Sequence, residues 1–227
     1  MQNWRTARGL IAIAFTIGTS LSTSGTAEAA EGYRLPYRAG QSYQVSQGWN
    51  TSYSHRGTQG YAIDFAMPEG TPVVASKAGQ VVGVKFDTPA SACGGPEYAA
   101  RANYVLLAHG DGTQTLYVHL SSVVEARKRI GNIALAGQVI GLSGKTGWTA
   151  ERTGQRCGAH LHFQRQTPPA RGRIVGQSRP VFFDEVGTAP VPGRSYASRN
   201  VPPLGLSPDG VRLPPGTISI PPGTPLR

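Results

Sequence analysis

The chain has 227 residues, 22 of them Lys or Arg against 12 Asp or Glu, and a formal net charge of +10. That length suits one domain with some added tail, and the charge suits contact with an anionic surface such as a cell-wall polymer. No Lys/Arg block or aromatic-interleaved basic stripe marks a nucleic-acid module, and no apolar stretch reaches the length that spans a bilayer.

At the start, Arg5 and Arg8 precede an apolar run from Gly9 to Ile17, and the small-residue exit Ala27-Glu28-Ala29-Ala30 follows. This is the pattern of a secretory signal peptide cut after Ala29, residues 1–29. Losing Arg5, Arg8 and Glu28 with it leaves a net charge of +9. The absence of a cysteine near the cut excludes a lipoprotein anchor. A soluble, monomeric, exported protein is expected, periplasmic or extracellular.

Beyond the cut, glycine is abundant (30 residues), and short β-branched runs recur between Gly, Pro, Asn and Asp. This is an all-β pattern with strands expected at 43–46, 61–66, 72–76, 79–87, 103–109, 114–120, 138–143 and 160–166. Asp111-Gly112 reads as the turn of a hairpin between 103–109 and 114–120. A short helical piece is expected over 122–129, ended by Gly131, and a last edge strand over Arg179-Pro-Val-Phe-Phe-Asp184. Ala78-Gly-Gln-Val-Val-Gly-Val84 is echoed by Ala136-Gly-Gln-Val-Ile-Gly-Leu142, which suggests a sandwich or barrel of two related halves, or convergence of two strand turns. From about Ala189 the composition shifts: ten of the 18 prolines fall in 189–227, a segment read as an extended tail outside the folded domain of 30–188.

Two cysteines, Cys93 and Cys157, read as one disulfide in an oxidising compartment. The rival is a Cys-x-x-His metal pair formed by Cys157 and His160, but structural zinc sites commonly need four protein ligands. Side chains alternate faces along a strand, so His160 and His162 share one face while Leu161 and Phe163 share the other. By the same alternation Asp64 lies on a face with Ala62 and Ala66, where two small neighbours leave room for a metal. His119 is expected to share its face with Tyr117 and Thr115, with Val118 and Leu120 opposite. His55 sits in a loop ahead of the Asp64 strand, and His109 near the hairpin turn reads as structural.

The motifs His55-Arg-Gly, Asp64-Phe-Ala-Met-Pro-Glu-Gly-Thr-Pro-Val73, Ala78-Gly-Gln-Val-Val82, His109-Gly-Asp-Gly, Leu116-Tyr-Val-His119-Leu and Gly158-Ala-His160-Leu-His162-Phe resemble, in order and spacing, the lysostaphin/LytM-type zinc endopeptidases of bacterial peptidoglycan. The resemblance runs from about residue 33 to about 187. It implies a small antiparallel β-sandwich or barrel of the duplicated hybrid motif type. It also implies one zinc held by His55, Asp64 and His162, and two uncoordinated catalytic histidines, His119 and His160. Eight residues, Arg56 to Ile63, stand between the first two ligands, more than in the better-known members. The implied partner is a peptidoglycan peptide, in stem or cross-bridge. No H-E-x-x-H occurs, so a histidine must act as the base, with His160 assigned to the water and His119 to the oxyanion and the leaving amine. The alternative is a non-catalytic domain of the same type that binds or activates other wall hydrolases.

Overall fold

The computed structural model describes residues 32–51, 53–150 and 157–203. The signal-peptide reading (1–29) and the tail beyond residue 203 lie outside them. In chain order the strands are β1 Ser42–Gln47, β2 Ile63–Phe65, β3 Pro72–Val74, β4 Gly79–Lys85, β5 Cys93–Gly94, β6 Tyr104–Ala108, β7 Gln114–Val118, β8 Ser122–Val123, β9 Ile133–Ala134, β10 Val139–Leu142, β11 Gly147–Trp148, β12 Leu161–Gln166 and β13 Ser195–Ala197. One antiparallel sheet runs β13-β1-β2-β12-β7-β6-β4-β9, a second β3-β10-β8, and β11 pairs with β5 in parallel. Short 3₁₀ turns supply the remaining regular structure among the described residues. The expected all-β antiparallel fold is what the chain adopts.

Period-2 alternation explains how the large sheet divides its faces. Ile63 and Phe65 of β2, Leu161 and Phe163 of β12, Tyr117 of β7 and Leu107 of β6 turn inward against Val73 of β3 and Ile140 of β10. Each such side chain, removed fully from water, contributes about 1.5–3 kcal/mol. The opposite face carries a smaller cluster of Ala102, Leu106, Leu116 and Val118. The hairpin turns as expected, with Tyr104 opposite Val118 and Gly112 at φ 76°.

Three expectations change. Residues 122–129 form β8 and a 3₁₀ turn at Glu125–Arg127 rather than one helical piece, because Ser122 and Val123 pair with β10. Residues 179–184 bury Val181 and Phe183 but form no named strand; Pro180 brings no N–H to a ladder. The segment after Ala189 is not all tail. Its prolines flank a proline-free stretch, Gly193 to Val201, in which Tyr196 pairs with Tyr43 and the Tyr37 hydroxyl donates to the Tyr196 carbonyl at 2.8 Å. Asn200 then donates to the carbonyls of Leu35 and Ala75. The large sheet therefore gains an edge strand that average composition concealed. The two echo segments become β4 and β10, which sit in different sheets.

Cys93 and Cys157 are bonded across a sequence separation of 64 residues, which removes the metal-pair rival. Replacing both cysteines with serine is expected to cost about 2–5 kcal/mol, and so to lower the melting temperature by roughly 5–15 °C. A thermal melt checks this; an unchanged midpoint would mean that packing alone holds the bridged loops.

His109 is buried, with Nδ1–H donating to the Ala78 carbonyl at 2.7 Å and Nε2 2.9 Å from the Thr115 hydroxyl, which is the structural role expected. Burial pushes its pKa below 6.5, ahead of smaller influences from Asp111, Lys77 and Arg165. The unfolded chain, titrating near 6.5, therefore binds the proton more readily than the fold. The resulting stability is present above that pH and is lost as pH falls toward the folded value. Urea unfolding at pH 7, 6 and 5 is expected to show a smaller acid loss in His109→Gln than in the wild type.

Candidate metal and catalytic site

Asp64 projects from β2 onto the face opposite the core, and His162 projects beside it from β12 in direct register. His55 arrives from the loop before the 3₁₀ turn at Gly57–Gln59, which takes up the long spacing to Asp64. His55 Nε2 is 3.2 Å and His162 Nδ1 2.9 Å from Asp64 Oδ1. One ligand atom from each of the three residues lies within 4.8 Å of the others, and all three side chains are buried. His55 Nδ1–H donates to the Gly48 carbonyl at 2.9 Å, so Nε2 is the ring nitrogen turned toward Asp64. Two imidazoles and one carboxylate, with no fourth protein ligand grouped with them among the described residues, fit the donor set of a catalytic zinc.

His160 and His119 complete the cluster. Their ring centroids are 4.6 Å apart, and His119 lies 6.0 Å from His162. His160 sits just ahead of β12 on the same face as His162, as alternation requires. For His119 alternation fails: Thr115 and Tyr117 face the core, yet His119 lies on the groove face with Leu116 and Val118. The cause is a left-handed backbone at His119, φ 69°, which reverses parity so that Leu120 returns to the core. A network of Asn103, Thr146 and the Leu120 carbonyl braces the chain just beyond. His119 Nδ1–H donates to the Thr146 carbonyl at 2.8 Å and His160 Nδ1–H to the Gly158 carbonyl at 2.9 Å. Both rings therefore present Nε2 to the groove.

The electrostatics centre on Asp64. Burial raises its pKa, but nearby His160 and the hydrogen bonds from His162 and His55 outweigh that and hold the carboxyl well below its usual range. Burial opposes protonation of His55, and Asp64 overcomes it, so the His55 pKa rises. Burial lowers His162 despite Asp64, and it lowers His119 strongly, with the His160 and His162 charges adding to the effect.

These residues lie in a groove of about 630 Å³. Leu116 and Val118 line its apolar side, and Gln47, Tyr53 and Trp148 line its other parts. Tyr53 and Trp148 face each other with centroids 6.2 Å apart, and the Tyr53 hydroxyl donates to the Ala150 carbonyl at 2.9 Å. Ala150 bridges to Cys157, so the disulfide ties this wall down. The sequence brought all five expected residues to one place. It gave no signal for Gln47, whose amide donates to Asp64 Oδ2 at 2.8 Å, nor for the carbonyls of Gly48, Thr146 and Gly158 that orient three of the rings.

The model of Peptidase family M23 matches residues 58–175, a span that holds Asp64, His119, His160 and His162 and begins just after His55. The peptidoglycan DD-endopeptidase ShyA of Vibrio cholerae is 33% identical over 142 residues, covering 56% of this chain and 27% of that protein. Lysostaphin of Staphylococcus staphylolyticus is 35% identical over 106 residues, covering 46% of this chain and 18% of the relative. The chain thus spans about a quarter or less of the length of these relatives. Among solved structures, a variant of the catalytic domain of the prophage-encoded M23 protein EnpA from Enterococcus faecalis is 22% identical, covers 64% of this chain and 93% of that one, and superposes with a TM-score of 0.45. The chain belongs to peptidase family M23.

Proposed function

We propose that the protein is an exported zinc endopeptidase that hydrolyses peptide bonds of bacterial peptidoglycan. The observation that carries this reading is the convergence of His55, Asp64 and His162 with two further histidines in one groove. His55 Nε2, Asp64 Oδ1 and His162 Nδ1 would hold the metal. When bound, zinc supplies Lewis-acid polarisation of the scissile carbonyl and of a water. His160 Nε2 takes the proton from the water, and the imidazolium so formed has Asp64 Oδ2 3.9 Å away to stabilise it. His119 has its one resting ring proton committed to Thr146, so it donates to an oxyanion or a leaving amine only after receiving a second proton. His160, whose ring centroid lies 4.6 Å away, is the neighbouring histidine that would pass it on.

Charge supports stem peptides over a neutral cross-bridge. Among the described residues Asp64 is the one carboxylate lining the groove, and it is matched to the metal. Among the described residues within two positions of a lining residue, the exposed charges are Arg56, Arg101 and Arg173 against Glu97. That excess of positive charge favours a substrate bearing free carboxylates. Export rests on the leader-like start, and among the described residues no helix is long and apolar enough to cross a membrane.

The test is digestion of purified cross-linked peptidoglycan with zinc-loaded protein, with and without chelator, read by mass spectrometry. Chelator-sensitive fragments with new amino termini inside stem peptides are expected. Cuts confined to glycine bridges would overturn the stem assignment. No cleavage of several wall types would overturn the enzyme reading in favour of a binding domain.

A further inference from the structure

We propose that Gln47 is a positioning residue for the metal site, fixing the orientation of the Asp64 carboxylate and tying the groove-rim segment at Tyr53 and Ser54 to it. The inference rests on the metal site described above and concerns a side chain outside the five residues that compose it.

The starting point is a break in the β1–β2 ladder. Val45 pairs with Phe65, but the next pairing is Gln47 with Asp64, so Ser46 is an extra residue and the strand bulges there. Without the bulge, Gln47 would follow Val45 into the core, two residues along the same face. With it, Gln47 turns onto the groove face opposite Asp64; re-aiming a side chain is what bulges beside active sites do.

Every hydrogen-bonding position that counts at this amide is then used. Nε2 donates to Asp64 Oδ2 at 2.8 Å and to the Ser54 hydroxyl at 2.8 Å, while Oε1 accepts from the Ser54 N–H at 3.2 Å. The flipped amide would set an oxygen against the carboxylate and a donor against a donor, so this orientation is the one the surroundings allow. Oδ2 is thereby engaged, and Oδ1 is the oxygen left facing His55 and His162. The following residue serves the same centre: the Gly48 carbonyl accepts His55 Nδ1–H. One dipeptide thus orients two of the three ligand side chains. The bonds to Ser54 also close the intervening loop, which carries Tyr53 to the groove rim and ends beside His55.

A side chain that merely closed a loop would affect folding of the metal-free protein and leave the metal alone. The experiment separates the two roles. Gln47→Met keeps length and volume but removes the amide. Gln47→Asn keeps the amide but is one methylene too short to span Asp64 and Ser54. Zinc affinity, read by competition with a chromogenic chelator, is expected to weaken about 10–100-fold in Gln47→Met, the range for partners that orient ligands from behind. The visible bands of the cobalt-substituted protein should shift, because they report ligand geometry, and Gln47→Asn should change both readouts in the same direction. If Gln47→Met does not fold, Gln47→Asn carries the comparison. Wild-type affinity and an unchanged cobalt spectrum would overturn the proposal, as would a loss of metal-free stability with zinc binding intact. Wild-type protein that takes up no zinc would instead overturn the metal site itself, a separate result.

Discussion

Replacing Asp64 or His162 with alanine is expected to abolish metal retention and peptide-bond cleavage together, while the fold survives. Asp64 Oδ1 is the point on which the other two ligand side chains converge, at 3.2 and 2.9 Å, and the carboxylate supplies the only negative charge in the set. Its removal leaves two buried imidazoles and no counter-charge for a dication. The loss in metal affinity should far exceed the ~10–100-fold typical of changes behind the ligands. Both side chains lie on the groove face rather than in the apolar core, so Ile63, Phe65, Leu161 and Phe163 still pack. Elemental analysis after dialysis should find zinc in the wild type and none in either variant. A thermal readout adds a second check. Zinc at a hundredfold excess over its dissociation constant adds about 2.7 kcal/mol of stability to the wild type, and the variants should gain none. A His162→Ala protein that holds zinc at full occupancy would sink the ligand assignment.

His119→Ala is expected to do the opposite to the metal: zinc stays, and turnover falls by roughly 10²–10⁴-fold with little change in KM. The ring is 6.0 Å from His162 by centroid and is fixed through Thr146 rather than through Asp64, so its loss leaves the ligands in place. Alanine has the same Cβ as histidine at the left-handed backbone position, so the substitution adds no new backbone strain. His160→Ala should resemble it. The double variant should be scarcely worse than either single one, because paired groups that pass one proton act as a unit. Steady-state kinetics on a defined peptide, with zinc content measured on the same samples, checks both. Loss of zinc from His119→Ala would move that residue into the ligand set.

Much of this was legible because strands obey a two-residue period. Ile63-Asp64-Phe65 and Leu161-His162-Phe163 declare a core face and a reactive face without help from tertiary structure, and the structure agrees at every one of those positions. What escaped was written in backbone geometry. Nothing in Leu116-Tyr-Val-His119-Leu announces a positive φ at the histidine, which is an uncommon state for a residue with a side chain. Nothing in Gln44-Val-Ser-Gln47 announces a bulge. The edge strand at Ser195–Ala197 was hidden for a different reason: averaging over a proline-rich segment erased a short proline-free stretch whose partners lie some 150 residues upstream.

The bulge at Ser46 and the left-handed turn at His119 set a condition on any attempt to transplant this chemistry. A regular sheet bearing the same side chains at the same register would present Asp64, His160 and His162 together and would send Gln47 and His119 to the other side. Such a graft would keep the base at His160 but lose the second histidine that hands the proton on, and the amide that orients the carboxylate. A miniature scaffold for this reaction therefore has to inherit two irregularities of the chain along with its side chains, and a designer who idealised the backbone first would remove the very features that make the groove reactive.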